Sequence, residues 1–208
     1  MQLKARSRLR TFDEFCVLVK DGQKADLIDG VIYMASPDSL ETNNLFMWFG
    51  GLIEYYAEET ELGEVFGSRA AFRLDNYNSP EPDLAFVRAS RLPKVKGGHF
   101  NGAPDIAIEL VSLDSVERDY VAKREKYRQA GVSEYWIVDE MVQRVTMLRL
   151  DARGRYREVK PQAGVLFSEV LAGFWFRPEW LWRSPLPKKL AILNQILAGP
   201  PGGPDQAA

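Results

Sequence analysis

The sequence predicts a mixed α/β fold in one domain, with a β-sheet flanked by helices and an N-terminal β-hairpin in front of it. Three observations carry this. A strand–strand–helix–strand order runs from residue 83 to 139, antiparallel ribbon patterns follow, and a long amphipathic helix precedes. The chain has 208 residues, 46% hydrophobic and 27% charged, enough apolar material for a buried core.

The hairpin is DLIDGVIYMAS (26–36), turning at Asp29-Gly30, a dipeptide that tolerates the positive φ of a tight turn. Ser36-Pro37-Asp38 interrupts the chain, and residues 39–59 then read as a helix. In that helix Leu45, Trp48, Phe49, Leu52, Tyr55 and Tyr56 recur at three- and four-residue steps as a core-facing stripe. Gly63 closes it, EVFGSRAAFRL (64–74) reads as a strand and NYNSPEP as a turn-rich loop. DLAFV (83–87) and DIAIELVS (105–112) are strands, followed by a helix over 114–130 that Gly131 ends, and by the strand EYWIVD (134–139). VTMLRL (145–150) and RYREVK (155–160) pair antiparallel around Asp151–Gly154.

The Phe- and Trp-rich region 165–183 is expected to pack on the sheet edge. Within it GFWFRPEWLW (173–182) holds aromatic surface suited either to a homodimer or to packing on the protein's own sheet. Lys188–Leu197 reads as a short amphipathic helix and GPPGGPDQAA as a disordered tail. The domain is therefore drawn at residues 1–185, with 186–208 as a helix and tail attached to it.

Composition excludes several chemistries. The one cysteine, Cys16, rules out an intramolecular disulfide and a Cys-cluster zinc site. The one histidine, His99, sits in the Gly-rich stretch KGGHFNG and reads as a surface-loop residue, which leaves two-histidine sites without a second ligand. Chemistry here is expected to run on carboxylates, lysine and a hard metal ion. No apolar run nears the ~18 residues of a membrane span, and the N-terminus lacks the apolar core of a signal peptide, so the expected location is cytoplasmic. A net charge of −2 means that nucleic-acid binding would need a local basic patch or a metal ion.

Side chains alternate across a strand, so Asp105, Ala107, Glu109 and Val111 share one face of their strand, opposite Ile106, Ile108 and Leu110. Glu109 is thus a carboxylate in the middle of an apolar strand, and Asp83 begins the neighbouring one. Ala85 and Ala107 leave space beside them. In the following helix Val116, Tyr120, Lys123, Tyr127 and Ala130 form one stripe, with Lys123 at its centre. A lysine in such a stripe either snorkels outward or meets a buried anion, and Glu109 is the nearest inward acid. Lys126 lies nearer the margin. Two carboxylates can hold Mg²⁺, and a lysine beside them can stabilise charge on a phosphate undergoing attack.

The segments DLIDGVIYMASP (26–37), EPDLAFV (81–87), GAPDIAIELVS (102–112) and RDYVAKREKYRQAGVSEYWIVD (118–139) resemble the Uma-type restriction endonuclease family of the PD-(D/E)XK superfamily. The resemblance runs over residues 25–175. It implies a restriction-endonuclease-like fold and assigns Asp83 to the Pro-Asp strand, Glu109 to the second acid and Lys123 to the lysine. In the commonest superfamily pattern the lysine stands two residues after the acid, which is Val111 here. Asp26 occupies a hairpin position where the family usually has glutamate. Glu41-Thr42-Asn43 fills a stretch that often holds a histidine. Asp26, Glu41, Asp105 (at the site's rim) and Tyr127 are accessory candidates. The implied activity is Mg²⁺- or Mn²⁺-dependent hydrolysis of DNA by a homodimer, with Asp83 and Glu109 on the metal. The alternative is a catalytically silent DNA-binding or dimerisation module, and the sequence does not separate DNA from RNA.

Overall fold

The computed structural model describes residues 8–20, 22–96 and 99–200. The tail expected to be disordered lies, from residue 201, outside the described residues.

Helix α1 (Phe12–Leu18) starts at a capping box in which Thr11 and Glu14 satisfy each other's backbone N–H groups. The hairpin follows as β1 (Ala25–Ile28) and β2 (Val31–Met34), with Asp29 at φ 49° and Gly30 at φ 72°. Both turn residues occupy the left-handed region, as the Asp-Gly pair predicts. Helix α2 (Leu40–Glu59) is capped by the Ser39 hydroxyl, which accepts from the Thr42 N–H. The stretch read as one strand over 64–74 is two short ones, β3 (Gly63–Gly67) and β4 (Phe72–Arg73). The break falls at Arg69, whose φ of 77° cannot continue a pleated strand.

Strand β5 (Leu84–Arg88) leads through a 3₁₀ turn (Ala89–Lys94) to β6 (Val95–Lys96) and β7 (His99–Asn101). His99 therefore lies in a strand, its ring edge-on to Phe12 at 4.7 Å, and not in a loop. Next come β8 (Ile106–Leu110), a π-helical turn (Arg118–Lys123) that runs into α3 (Arg124–Ala130), and β9 (Glu134–Asp139). The chain continues as β10 (Arg144–Leu150), β11 (Tyr156–Glu158), β12 (Leu166–Phe167), β13 (Trp175–Phe176), a 3₁₀ turn (Pro178–Trp182) and α4 (Lys189–Leu197).

Six strands form the main sheet in the order β11-β10-β9-β8-β5-β3. Only β8 and β9 run parallel, joined by the crossover through α3, so the sheet is mixed. The alternation read in β8 sorts its two faces as expected. Ile106, Ile108 and Leu110 join the cluster under α2, while Ala107 and Val111 join Tyr127, Tyr135 and Ile137 under α3.

On the α2 face, Leu45, Trp48, Phe49, Leu52 and Tyr56 are buried, whereas Tyr55 is 52% exposed and leaves the predicted stripe. The aromatic segment lies over this face and not on the sheet edge. Phe174 and Phe176 stand 6.2 and 5.6 Å from Trp136 in the middle of the sheet, and Phe176 stands 5.1 Å from Phe49. Burying each such ring contributes about 1.5–3 kcal/mol. Phe174, Trp175, Phe176 and Trp180 are thus interior residues, and the surface expected to pair two copies is occupied by the chain's own core. Helix α4 buries Ile192, Leu193 and Ile196 in the same core.

Candidate functional site

The register of β5 and β8 sets the site. Leu84 pairs with Ile108 and Ala85 with Ala107, which carries Asp83 to the position beside Glu109 on the α3 face. The two alanines are buried and small, so space remains above them. The Asp83 carboxylate is tied down by the Leu110 N–H, which donates to Oδ2 at 2.7 Å, and Lys24 donates to Oδ1.

Glu109 is almost wholly buried and accepts two hydrogen bonds, from Lys123 Nζ at 2.9 Å and from the Tyr127 hydroxyl at 2.8 Å. Lys123 does not snorkel. Its ammonium also meets Asp26 Oδ2 at 3.0 Å and Asp119 Oδ1 at 3.6 Å, with 3% of the side chain exposed. Asp26 comes from the hairpin, and its other oxygen accepts from the Glu81 N–H at 2.9 Å. Arg118 Nε lies 3.4 Å from the same Asp26.

The sequence singled out Asp83, Glu109 and Lys123, and the fold brings all three together with Asp26 and Tyr127. It does not bring in Glu41, which is exposed on the first turn of α2 at another hollow. Nor does it bring in Asp105, expected at the site's rim. Asp105 lies at the opposite end of β8, bound by Arg88 and Arg91. The reason is strand length, since four residues at ~3.3 Å each separate Asp105 from Glu109.

Three residues were not foreseen. Asp119 arrives because the π-helical turn rotates the helix, so that Asp119, Lys123 and Tyr127 face the sheet while Val116 and Val121 face solvent. The signal for it was the Asp-x-x-x-Lys spacing, which puts an acid one turn before the lysine. Lys24 stands 59 residues before its partner Asp83, and no local pattern announces that pairing. Glu81 accepts from the Ala25 N–H at 3.1 Å behind Asp26.

Electrostatics set this cluster apart. Burial pushes the Glu109 carboxyl up to about 8, against the pull of Lys123, and the charges of Asp119, Asp83 and Asp26 push the same way. One ammonium shared among three carboxylates cannot neutralise each of them. Burial likewise raises Asp119, and raises Glu81 to about 7. Burial opposes the charge on Lys123, but Asp26, Glu109 and Asp119 outweigh it and hold the amine well above the usual lysine value.

The residues open onto a cavity of about 410 Å³ whose walls carry six acidic and four basic side chains. Its donor set is all oxygen, which suits a hard ion such as Mg²⁺ and not zinc. Asp119 Oδ1 is buried without a hydrogen bond among the described residues, and the cation it meets is the shared Lys123 ammonium at 3.6 Å. Asp83 and Glu109 offer carboxylate oxygens of the kind such an ion takes, from adjacent strands. Among the described residues, however, no three acidic, histidine or cysteine side chains are already arranged around one point.

Comparison with known proteins bears on the family and the fold. No curated protein matches the chain. A crystal structure from Anabaena variabilis, described as "a putative nuclease belonging to DUF820", superimposes with a TM-score of 0.68 over 83% of this chain and 97% of that one, at 21% identity. That likeness shows that the two chains share a fold. No helix among the described residues is long and apolar enough to cross a membrane. The sequence profile of the Uma2 family matches residues 9–179, and the chain therefore belongs to that family, whose description is "Putative restriction endonuclease".

Proposed function

We propose that this chain is an endonuclease hydrolysing DNA phosphodiester bonds with Mg²⁺ or Mn²⁺, acting in the cytoplasm. One observation carries the reading. Asp83 and Glu109 meet on adjacent strands beside a fully buried lysine, in a cavity whose acidic side chains outnumber its basic ones. A phosphodiester is an anion, so such a cavity takes one only when a further cation is present.

Asp83 and Glu109 would hold the ion, which supplies Lewis-acid polarisation of a phosphate oxygen and a water of lowered pKa. The Leu110 N–H keeps the Asp83 carboxylate aimed, and the Tyr127 hydroxyl does the same for Glu109. Lys123 keeps a fixed positive charge where a phosphate under attack gathers negative charge, with no reorganisation needed at that moment. Arg69 and Arg118 line the same cavity and offer further contacts to phosphates.

The test is cleavage of supercoiled plasmid, single-stranded DNA and RNA in Mg²⁺ and Mn²⁺, wild type beside Glu109→Ala. Metal-dependent nicking of DNA that Glu109→Ala abolishes is the expected result. Cleavage that survives the substitution would remove the site assignment. The second reading, a silent DNA-binding or dimerisation module, is favoured by the lack of a ready three-ligand cluster among the described residues. Complete absence of cleavage together with retained DNA binding would establish it.

A further inference from the structure

Two lysines sit on the two carboxylates of this site, and their surroundings differ. Lys123 is 3% exposed and meets three carboxylates within 3.6 Å. Lys24 is 22% exposed and is held by one carboxylate, that of Asp83. Removing Lys123 would leave several buried acids unpaired, a change that costs more than breaking one pair whose side chains are 22% and 14% exposed. Removing Lys24 would free one oxygen of Asp83 and nothing else.

That oxygen would stay where it is. Asp83 Oδ2 is fixed by the Leu110 N–H at 2.7 Å, so the carboxylate remains aimed into the cavity whether or not Lys24 is on Oδ1. Lys24 itself hangs from a segment outside the main sheet on a flexible four-carbon stem, and it lines the cavity. An entering divalent ion therefore meets an Asp83 whose outward oxygen already carries an ammonium.

We propose that Lys24 is a resident cation that holds Asp83 in the metal-free protein and competes with the divalent ion for it. The strength of that competition then sets the metal concentration at which the site fills. Lys123 is excluded from this part by its three partners, and Arg118 by its placement on Asp26. The proposal rests on the metal-dependent reading above, and binding measurements test it apart from cleavage.

The measurement is Mn²⁺ binding to the full-length, metal-free protein by isothermal titration and by the electron spin resonance of free Mn²⁺. Lys24→Gln should lower the dissociation constant by about tenfold, the scale of one hydrogen bond to a charged group. Lys24→Arg, which keeps the charge, should stay close to wild type. Lys126→Gln, which breaks the pair with Asp29 outside the cavity, should leave binding unchanged. If Lys24→Gln binds Mn²⁺ no more tightly than wild type, the competition is overturned while the metal site stands. If wild type and every variant bind no Mn²⁺ at millimolar concentration, both fall. Should Lys24→Gln be partly unfolded without metal, the rise of melting temperature with Mn²⁺ gives the same answer. The variant's rise must then exceed that of wild type, and parallel curves would overturn the proposal.

Discussion

Strand β8 buries an acid at each end of the same face, and the two ends are compensated differently. Asp105 is 3% exposed and faces two guanidiniums, Arg88 and Arg91, with the Arg88 N–H as a further donor at 3.0 Å. Glu109 is 1% exposed and shares one ammonium with Asp26 and Asp119, while Asp83 stands beside it. At the Asp105 end cations outnumber the acid, and the result is a structural clasp. At the Glu109 end acids outnumber cations, and the result is a place with room for a cation or a reacting phosphate. Burial of a carboxylate on an apolar strand therefore does not by itself mark a site. The charge balance around it does.

Lys123→Ala should have the largest effect. Cleavage should fall about a hundredfold or more, the scale of a preorganised electrostatic group. The protein should also lose roughly 3–5 kcal/mol of stability, since buried acids lose their shared partner. Calorimetry with and without Mn²⁺ separates the two effects. Added metal should recover much of the melting temperature but not the rate, and recovery of both would mean that Lys123 serves only the fold.

A pH series probes the same imbalance. Glu109 at about 8 and Glu81 at about 7 hold protons in the native state that the unfolded chain gives up near 4.5. The native state thus binds more protons over this interval, so metal-free stability should be highest below pH ~4.5–5 as far as these groups go, and fall as pH rises to about 8. At about 1.4 kcal/mol per pH unit for each group, a loss of several kcal/mol is expected, and Glu109→Gln should remove the larger part of it. A stability that rises over this interval and is indifferent to Glu109→Gln would contradict the charge excess.

At the compensated end, Asp105→Ala should cost about 1–2 kcal/mol, because its arginines are partly exposed and can turn to water. Cleavage should hold within a few-fold, and a loss matching that of Glu109→Ala would erase the distinction between the two ends. Lys126→Ala should be the mildest change, under ~1 kcal/mol with the rate nearly intact, because its partner Asp29 is largely exposed.

Much of this was legible in the sequence because it follows from short-range periodicity. Two-residue alternation put Glu109 on the inward face, Asp-Gly fixed the hairpin that delivers Asp26, and a helical stripe found Lys123 and Tyr127. What escaped had other causes. Asp119 was hidden by a helix that departs from 3.6 residues per turn. Lys24 meets Asp83 across 59 residues, and a tertiary contact of that span leaves no mark on local pattern. Composition lets the aromatic region 165–183 cover either an edge or a face of the sheet; its ring contacts to Trp136 and Phe49 decide for the face.

The π-helical turn carries a consequence for how this protein can change over generations. A wide turn amounts to one residue more than an α-helix of the same span would need, and each residue of an α-helix accounts for ~100° of rotation. Deleting one solvent-facing codon, such as that of Val121 (62% exposed), would let the segment relax into regular helix with its core anchors after Lys123 unmoved. Because the wide turn already absorbs that residue, Asp119 and everything before it would stay close to their present face. A lineage could in this way shed the wide turn in a single in-frame step, keep its fold and its acids, and carry a helix that looks more ordinary than its ancestor's, whereas the same deletion within the regular helix α3 would turn one side of the cluster by ~100°.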